Sequence, residues 1–203
     1  MTTPRVCIFD IETRKWAKDL NPDDEQAGWD DLRAGRGGAS AIAVYDTRDN
    51  FLYLYDDHTP EAVARHLEQA DLVVGFNSEG FDIPCLEGLA GRRLRIQNHL
   101  DIYASLAAAI AHRGRTSTRG DLTLERISKQ NLGRGKINHG DNARELARRG
   151  FWGQLFNYCA DDVHLTRDLY YRICRDGGLI NLGGQFTTLH LPEHLKLRVG
   201  DIP

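Results

Sequence analysis

The feature that most constrains the fold is an apolar run, residues 6–13, which carries two carboxylates one residue apart, Asp10 and Glu12. A β-strand turns successive side chains to opposite faces, so Asp10 and Glu12 share one face about 7 Å apart. Phe9 and Ile11 then face the core. Mg²⁺ and Mn²⁺ prefer carboxylate and water oxygens, so this strand end is a candidate metal site. A solvated strand end is the alternative, because a chain with 29 acidic residues in 203 contains about four such spacings by chance.

The composition predicts one soluble domain. A chain of 203 residues with 41% hydrophobic content is long enough for one well-formed core and short for two. No apolar run approaches the roughly 20 residues of a membrane span, and we expect a cytoplasmic protein without membrane contact. Its net charge of −3 argues against coating nucleic acid through bulk positive potential. No C-x-x-C pair occurs, and we expect buried thiols at Cys7, Cys85, Cys159 and Cys174.

Hydrophobic periodicity predicts three strands in a meander, followed by a strand and helix alternation. The β-rich runs 40–46 and 51–55 are separated by a four-residue turn and predict an antiparallel hairpin. The short apolar run 71–75 predicts a buried parallel strand. Further expectations are a strand at 95–100, short strands or an extended tail at 179–203, and helices at 61–70, 84–90, 101–112, 122–132, 142–149 and 151–175.

Residues 14–38 are polar and rich in acidic residues and glycine, and we interpret them as a long loop. Trp16 and Trp29 lie in this region. They either stack on a base or attach the loop to the core.

A second candidate site follows the strand at 71–75. Ligands bind at the carboxyl ends of such strands in open α/β sheets. Gly75 and Gly80 allow the backbone there to turn sharply and to approach a ligand. Asp82 is either a site carboxylate or the N-cap of the helix that follows.

A third candidate lies inside the longest predicted helix, where Tyr158 and Asp162 share one face about 6 Å apart along the axis. Asp161 points elsewhere. A carboxylate among apolar neighbours is costly unless it is solvated or compensated by charge. A cation shared with the other carboxylates would compensate Asp162; an exposed helix face is the alternative.

The three motifs occur in a fixed order along the chain: Asp10-x-Glu12, then Asn77 and Asp82 in Gly-Phe-Asn-x-x-x-Phe-Asp-x-Pro, then Tyr158-x-x-x-Asp162. In this order they resemble the exonuclease motifs of the DEDD (DnaQ-like) 3′–5′ exonucleases. Because the third motif contains a tyrosine, it resembles the tyrosine branch of that family. The amino-acid sequence of these motifs is similar to that of the proofreading domains of family B DNA polymerases and of related stand-alone exonucleases. The segment from Leu122 to Lys136 also looks like those proteins, and the resemblance covers about residues 4–176.

The resemblance implies an α/β, RNase H-like fold, with three antiparallel strands and two parallel ones in a mixed five-stranded sheet flanked by helices. Residues 1–178 would form the exonuclease domain, and residues 179–203 would form an extension packed on it or trailing from it. Two divalent metal ions, Mg²⁺ or Mn²⁺, would be held by four residues: Asp10, Glu12, Asp82 and Asp162. Such a cluster of carboxylates should raise the pKa of at least one of them.

Further residues are expected to act around these ligands. The resemblance implies that Tyr158 orients the attacking water. Residues expected to bind substrate are Thr13, Asn77, Phe81, Lys136 and the arginines of the 113–120 loop, Arg113, Arg115 and Arg119. The basic residues would contact phosphates, unless their loop is simply solvated. Asp101 is an accessory acidic candidate, for which helix capping is the favoured interpretation.

The resulting hypothesis is a metal-dependent 3′–5′ exonuclease that releases nucleoside 5′-monophosphates from the 3′ ends of single-stranded DNA or RNA. DNA is favoured, although a 3′–5′ exoribonuclease of the same superfamily remains open, because discrimination rests on contacts to the 2′-hydroxyl. A non-catalytic nucleic-acid-binding module is the rival from another class. An RNase H-like endonuclease is disfavoured by the Tyr-x-x-x-Asp pairing. The spacing does not identify a polymerase or repair partner.

Overall fold

The computed structural model describes residues 3–112, 122–136 and 141–202. Its centre is a five-stranded sheet of β1 (Val6–Thr13), β2 (Ala39–Asp46), β3 (Phe51–Tyr55), β4 (Leu72–Gly75) and β5 (His99–Asp101), in the order β3-β2-β1-β4-β5. The pairs β1–β2 and β2–β3 are antiparallel, whereas β1–β4 and β4–β5 are parallel. The α/β class and the mixed RNase H-like sheet expected from the sequence are confirmed.

Helices cover both faces of this sheet. They are α1 (Ala17–Leu20), α2 (Glu25–Arg33), α3 (Pro60–Glu68), α4 (Asp82–Ala90), α5 (Ile102–His112), α6 (Leu124–Leu132), α7 (Asp141–Arg148) and α8 (Trp152–Asp176). Residues from α5, α6 and α8 form one hydrophobic core, and residues from α3 and α4 form the other. Within the described ranges, no helix combines the length and apolarity needed to cross a membrane.

The alternation predicted for β1 separates its side chains between the two cores. Phe9 and Ile11 are buried against the α3 and α4 side. Asp10 and Glu12 are half-buried on the opposite side, which α8 covers. Because β1 is the central strand, its carboxyl end lies in the middle of the molecule rather than at an edge.

The interpretation of residues 14–38 as a loop is wrong, because they contain α1 and α2. The Asp24 side chain accepts a hydrogen bond from the Ala27 amide at 3.1 Å and caps α2. Gly28 lies in the middle of this helix, where a Cβ would overlap the Ala17 carbonyl. The polar composition and central glycine hid the helix, since tertiary packing overrides weak local propensity.

Other expected boundaries shift by a few residues. The strand expected at 95–100 is the shorter β5, and Phe81 occupies the N-cap position of α4. The backbone of Gly177 has φ +79° and ends α8, as glycine allows. The basic loop with Arg113, Arg115 and Arg119 lies outside the described residues.

Residues after α8 pack on the same domain. They form the hairpin of β6 (Gly178–Ile180) and β7 (Phe186–Thr188), then two short 3₁₀ helices. Leu195 is buried in the core beside α8, and its carbonyl accepts a 2.8 Å hydrogen bond from Tyr170. Asn131 of α6 binds both backbone groups of Ile180.

A buried ionic network joins the start of β1 to β2 and α3. Two guanidinium nitrogens of Arg5 donate to Asp46 Oδ2 at 2.6 and 2.9 Å, and His66 Nε2 lies 3.0 Å from the same oxygen. A His66 tautomer protonated at Nε2 donates to Asp46 and accepts from the Tyr55 hydroxyl at Nδ1. Burial alone would raise the pKa of Asp46, but the hydrogen bonds from His66 and Arg5 outweigh it and hold that pKa well below the ordinary 3.8.

We predict that Asp46→Asn lowers the free energy of unfolding by about 3–5 kcal/mol at pH 7, because it leaves Arg5 without its buried counter-charge. Since the folded-state pKa of Asp46 is depressed, its contribution is complete well above the ordinary 3.8 and is lost as the pH falls through the folded-state value. The difference between variant and wild type should therefore shrink in acid. Urea unfolding between about pH 7 and about pH 2 measures it. A difference that stays constant over this range would contradict the assignment.

Candidate metal centre

Three carboxylates converge where the end of β1 meets the middle of α8. Asp10, Glu12 and Asp162 each offer an oxygen atom, and these oxygens lie within 4.8 Å of one another. The packing of α8 against β1 produces this arrangement, because it turns the face with Tyr158 and Asp162 toward the strand. Oxygens at this separation can share a cation.

Asp82 approaches the same place from the start of α4. It is buried, and its Oδ1 accepts a hydrogen bond from the Ile11 amide at 3.0 Å. The N-cap interpretation of Asp82 is therefore wrong: the residue is the first of the helix, and its side chain binds the neighbouring strand. Asp82 is not one of the three residues whose oxygens come within 4.8 Å, although the charge of Asp10 acts on it.

Burial raises the pKa of every one of these carboxyls, and the charges of neighbouring carboxylates raise it further for Glu12, Asp82 and Asp162. Burial is the main cause for Asp10. For Glu12, burial and then the charges of Asp10 and Asp162 raise the pKa well above its ordinary 4.5. Burial and then Asp10 raise the pKa of Asp162 to about 7 and that of Asp82 well above 3.8. These directions agree with the electrostatic strain expected among the carboxylates, which stays a prediction.

Lys136 supplies a positive charge inside this cluster. Its Nζ lies 2.5 Å from Asp162 Oδ2 and donates to the Tyr158 hydroxyl at 3.2 Å. Burial lowers the pKa of Lys136, but the effects of Asp162, Tyr158 and Asp10 together outweigh it and raise that pKa above 10.5. The structure places the Lys136 ammonium among the carboxylates and in the lining of the adjoining cleft, and the phosphate contact expected of Lys136 stays a prediction.

The residues present fit a divalent cation with hard oxygen ligands. Among the described residues, three carboxylates face one ammonium, so negative charge is in excess. Asp162 Oδ1 is buried and, within the described parts of the chain, has no hydrogen-bond partner. A buried anionic oxygen without a donor is costly, and a cation at this position would satisfy it.

A cleft of about 250 Å³ opens beside the carboxylates. Asp10, Asp162 and Lys136 form its polar side. The other lining residues are Phe76, Asn77, Tyr103, Leu122, Thr123 and Leu124. Sequence reasoning missed both aromatic residues of this lining: it assigned no role to Phe76 within the second motif, and no motif distinguishes Tyr103 from a core aromatic.

One buried carboxylate, Asp101, organises the loop on the rim of this cleft. It accepts hydrogen bonds from the amides of Asn77 and Glu79, each at 2.9 Å, and from the Ala104 amide at 3.1 Å. Asp101 therefore caps α5, as expected, and also holds Asn77, whose φ of +63° is unusual for a residue other than glycine.

Two of the expected substrate residues, Thr13 and Phe81, do not line the cleft. The Thr13 hydroxyl donates to the Lys15 carbonyl at 3.0 Å. Phe81 packs edge-on against Trp29, with ring centroids 5.9 Å apart, so Trp29 attaches its segment to the domain. The guanidinium of Arg144 stacks over the Trp16 ring.

Two larger clefts, of about 800 and 1020 Å³, contain none of the three clustered carboxylates. The first lies between the ends of the described chain, and the second lies between β3, α7 and α8. Their size does not make them better candidates, because neither contains the clustered carboxylates or the Lys136 ammonium.

Comparison with solved structures relates this fold to part of a polymerase. The chain is similar to the family B DNA polymerase from the hyperthermophilic archaeon Pyrobaculum calidifontis, with a TM-score of 0.60 and 19% sequence identity. The likeness covers 85% of this chain and 25% of that chain, so this chain spans about a quarter of the polymerase. At this identity the likeness shows a shared fold. No protein-family model and no curated protein matches the sequence.

We predict that Glu12→Gln stabilises the metal-free protein. The substitution keeps the side-chain volume nearly constant and removes a charge that Asp10 and Asp162 repel. At pH 8 in EDTA the free energy of unfolding should rise by about 1.4 kcal/mol for each unit by which the pKa of Glu12 is raised. A raised folded-state pKa destabilises only where the group is ionised, so the gain should disappear as the pH falls toward the ordinary 4.5. Thermal melts measure both effects.

Asp23→Asn is the matched control, because Asp23 is exposed and lies outside the cluster. With saturating Mn²⁺ the order should reverse, since metal stabilises the folded state that binds it and Glu12→Gln has lost a ligand. A Glu12→Gln melting temperature below that of the wild type in EDTA would show that Glu12 is a stabilising residue rather than a repelled one.

Proposed function

We propose that this chain is a metal-dependent 3′–5′ exonuclease that acts on single-stranded nucleic acid, with DNA favoured, and releases nucleoside 5′-monophosphates. The convergence of Asp10, Glu12 and Asp162 beside the buried Tyr158 hydroxyl carries the proposal. The fold shared with part of a DNA polymerase supports it. So does the resemblance of the three ordered motifs to exonucleases.

Four residues would hold two divalent cations, Mg²⁺ or Mn²⁺: Asp10, Glu12, Asp82 and Asp162. Such cations, when bound, stabilise the attacking and leaving oxygens of an in-line phosphoryl displacement. The Ile11 amide keeps Asp82 oriented, and the thiol of Cys159 lies 3.7 Å from Asp10 Oδ2. These contacts fix the carboxylates before any ligand arrives, which is what a preorganised site requires.

Tyr158 would orient the attacking water through its hydroxyl. Burial and the charge of Asp162 raise the pKa of Tyr158 above 10, so the phenol keeps its proton. It therefore acts as a hydrogen-bonding group rather than as a base. Lys136 Nζ, 3.2 Å away, holds the oxygen in place.

The cleft beside the carboxylates suits one unstacked nucleotide. Phe76 and Tyr103 contribute aromatic rings, 6.1 Å apart between centroids, on which a base can stack. Asn77 adds a polar side chain at the rim. A base that remains paired within a duplex cannot enter so small a cleft, which favours single strands. Phosphate contacts by Lys136 and the arginines at 113, 115 and 119 remain predictions.

We predict that a 5′-labelled single-stranded DNA gives a descending ladder with Mn²⁺ or Mg²⁺, whereas a 3′-labelled strand loses its label at once as a mononucleotide. Asp10→Asn should reduce the rate by at least about 100-fold, because a lost ligand costs no less than a lost supporting contact. Asp161→Asn is the matched control on α8 and should change the rate by less than about twofold, since Asp161 lies on another helix face.

Other outcomes of this assay would identify one of the alternative functions. Early loss of a 5′ label would show that digestion runs from the 5′ end, opposite to the proposed direction. Internal fragments would indicate an endonuclease. Binding without cleavage would indicate a non-catalytic module. Faster digestion of an RNA strand of the same sequence would make the protein an exoribonuclease.

We predict that Tyr158→Phe lowers kcat by about 100-fold while leaving Mn²⁺ affinity unchanged, because the phenol positions water and is not a ligand. Single-turnover kinetics and calorimetry separate the two quantities. Unchanged turnover would remove Tyr158 from the mechanism, and weakened Mn²⁺ binding would make it part of the metal site.

A further inference from the structure

Helices α1 and α2 form a layer that is seated closely on α4. A Cβ at Gly28 of α2 would overlap the Ala17 carbonyl of α1. A Cβ at Gly88 of α4 would overlap the backbone of Ala34, which follows α2. Only glycine permits such close contacts between backbones, because any larger residue would overlap the neighbouring segment. We infer that α2 has a fixed position relative to α4.

Two side chains of α2 reach the segment that precedes α4. Arg33 Nε donates a 2.9 Å hydrogen bond to the Gly80 carbonyl. The ring of Trp29 meets the ring of Phe81 edge-on at an interplanar angle of 82°. Phe81 is the N-cap residue of α4 and directly precedes Asp82.

The segment Asn77–Phe81 is therefore held from two sides. Asp101 binds the amides of Asn77 and Glu79 from the α5 side, and Arg33 binds the Gly80 carbonyl from the α2 side. A left-handed backbone at Asn77 is unfavourable, and it persists only when surrounding contacts determine it.

We propose that Arg33 and Trp29 are positioning residues that hold Asn77–Phe81 in the shape that receives the 3′-terminal nucleotide. The proposal rests on the proposed exonuclease function. Neither side chain lines the cleft, and Asn77 does. Arg33 is 34% exposed, so its replacement removes the contact with Gly80 without opening the core. Its pair with Asp30 is an exposed ion pair of small consequence.

The test compares Arg33→Met with Arg36→Met in the full chain. Arg36 is exposed and pairs with Asp31 on the same layer, away from Gly80. In EDTA, hydrogen exchange of the amides at 76–82 should accelerate about tenfold in Arg33→Met, because the contact that limits local opening is lost. Arg36→Met should match the wild type. Arg33→Lys keeps a donor for the Gly80 carbonyl and should restore part of the protection.

Kinetics on a single-stranded oligonucleotide supply the functional measurement. Arg33→Met should raise KM about five- to tenfold with kcat within about twofold, because binding is lost equally from ground and transition states. Mn²⁺ affinity by calorimetry should not change, since Asp82 remains bound to the Ile11 amide. A fall in kcat at constant KM, weaker Mn²⁺ binding, or faster exchange throughout the molecule would overturn the proposal.

Hydrogen exchange keeps this proposal distinguishable from the proposed function. A wild type without nuclease activity would refute the exonuclease assignment, and the exchange comparison would still measure the hold on Asn77–Phe81. Unchanged exchange in Arg33→Met would overturn the positioning role even in an active enzyme.

Discussion

The electrostatic repulsion among three clustered carboxylates, one buried and two half-buried, is the constraint that the rest of the structure has to accommodate. Asp10, Glu12 and Asp162 repel one another, and among the described residues Lys136 neutralises only part of their charge. Such an arrangement opposes folding, so the surrounding packing must overcome it. The two apolar cores, one on each face of β1, supply that packing and hold the charged groups in place. A cation would relieve the repulsion and stabilise the folded chain at the same time.

The position of β1 explains why the site tolerates this strain. As the central strand, β1 pairs with β2 on one side and β4 on the other, and its carboxyl end is supported in both directions. A register shift between Glu12 and Thr13 ends the regular pairing with β2 just beyond the carboxylates. Irregularities of this kind are common next to active sites, where they redirect side chains. The scaffold is rigid up to the reactive groups and irregular immediately after them.

Backbone contacts extend the same organisation to the rim of the cleft. Asp101 satisfies three amides from two different segments, which makes it more than a helix cap. Together with Arg33, it places Asn77 beside the carboxylates in a conformation that the local sequence would not adopt alone. The polar region between β1 and β2 thereby joins the site, although none of its residues lines the cleft. Function in such a fold depends on these outer supports as well as on the ligating groups.

The amino-acid sequence by itself determined the strand alternation that puts Asp10 and Glu12 on one face, the β2–β3 hairpin, and the shared helix face of Tyr158 and Asp162. These features follow from periods of 2 and 3.6 residues, which local sequence displays directly. Only the tertiary structure decided the partners of Asp82 and Lys136. Asp82 binds Ile11, which lies 71 residues away in the sequence, and Lys136 binds Asp162, which lies 26 residues away. It also decided that residues 14–38 contain two helices and that Phe76 and Tyr103 line the cleft. Contacts between distant segments decide these features, and no local periodicity encodes which segments will meet.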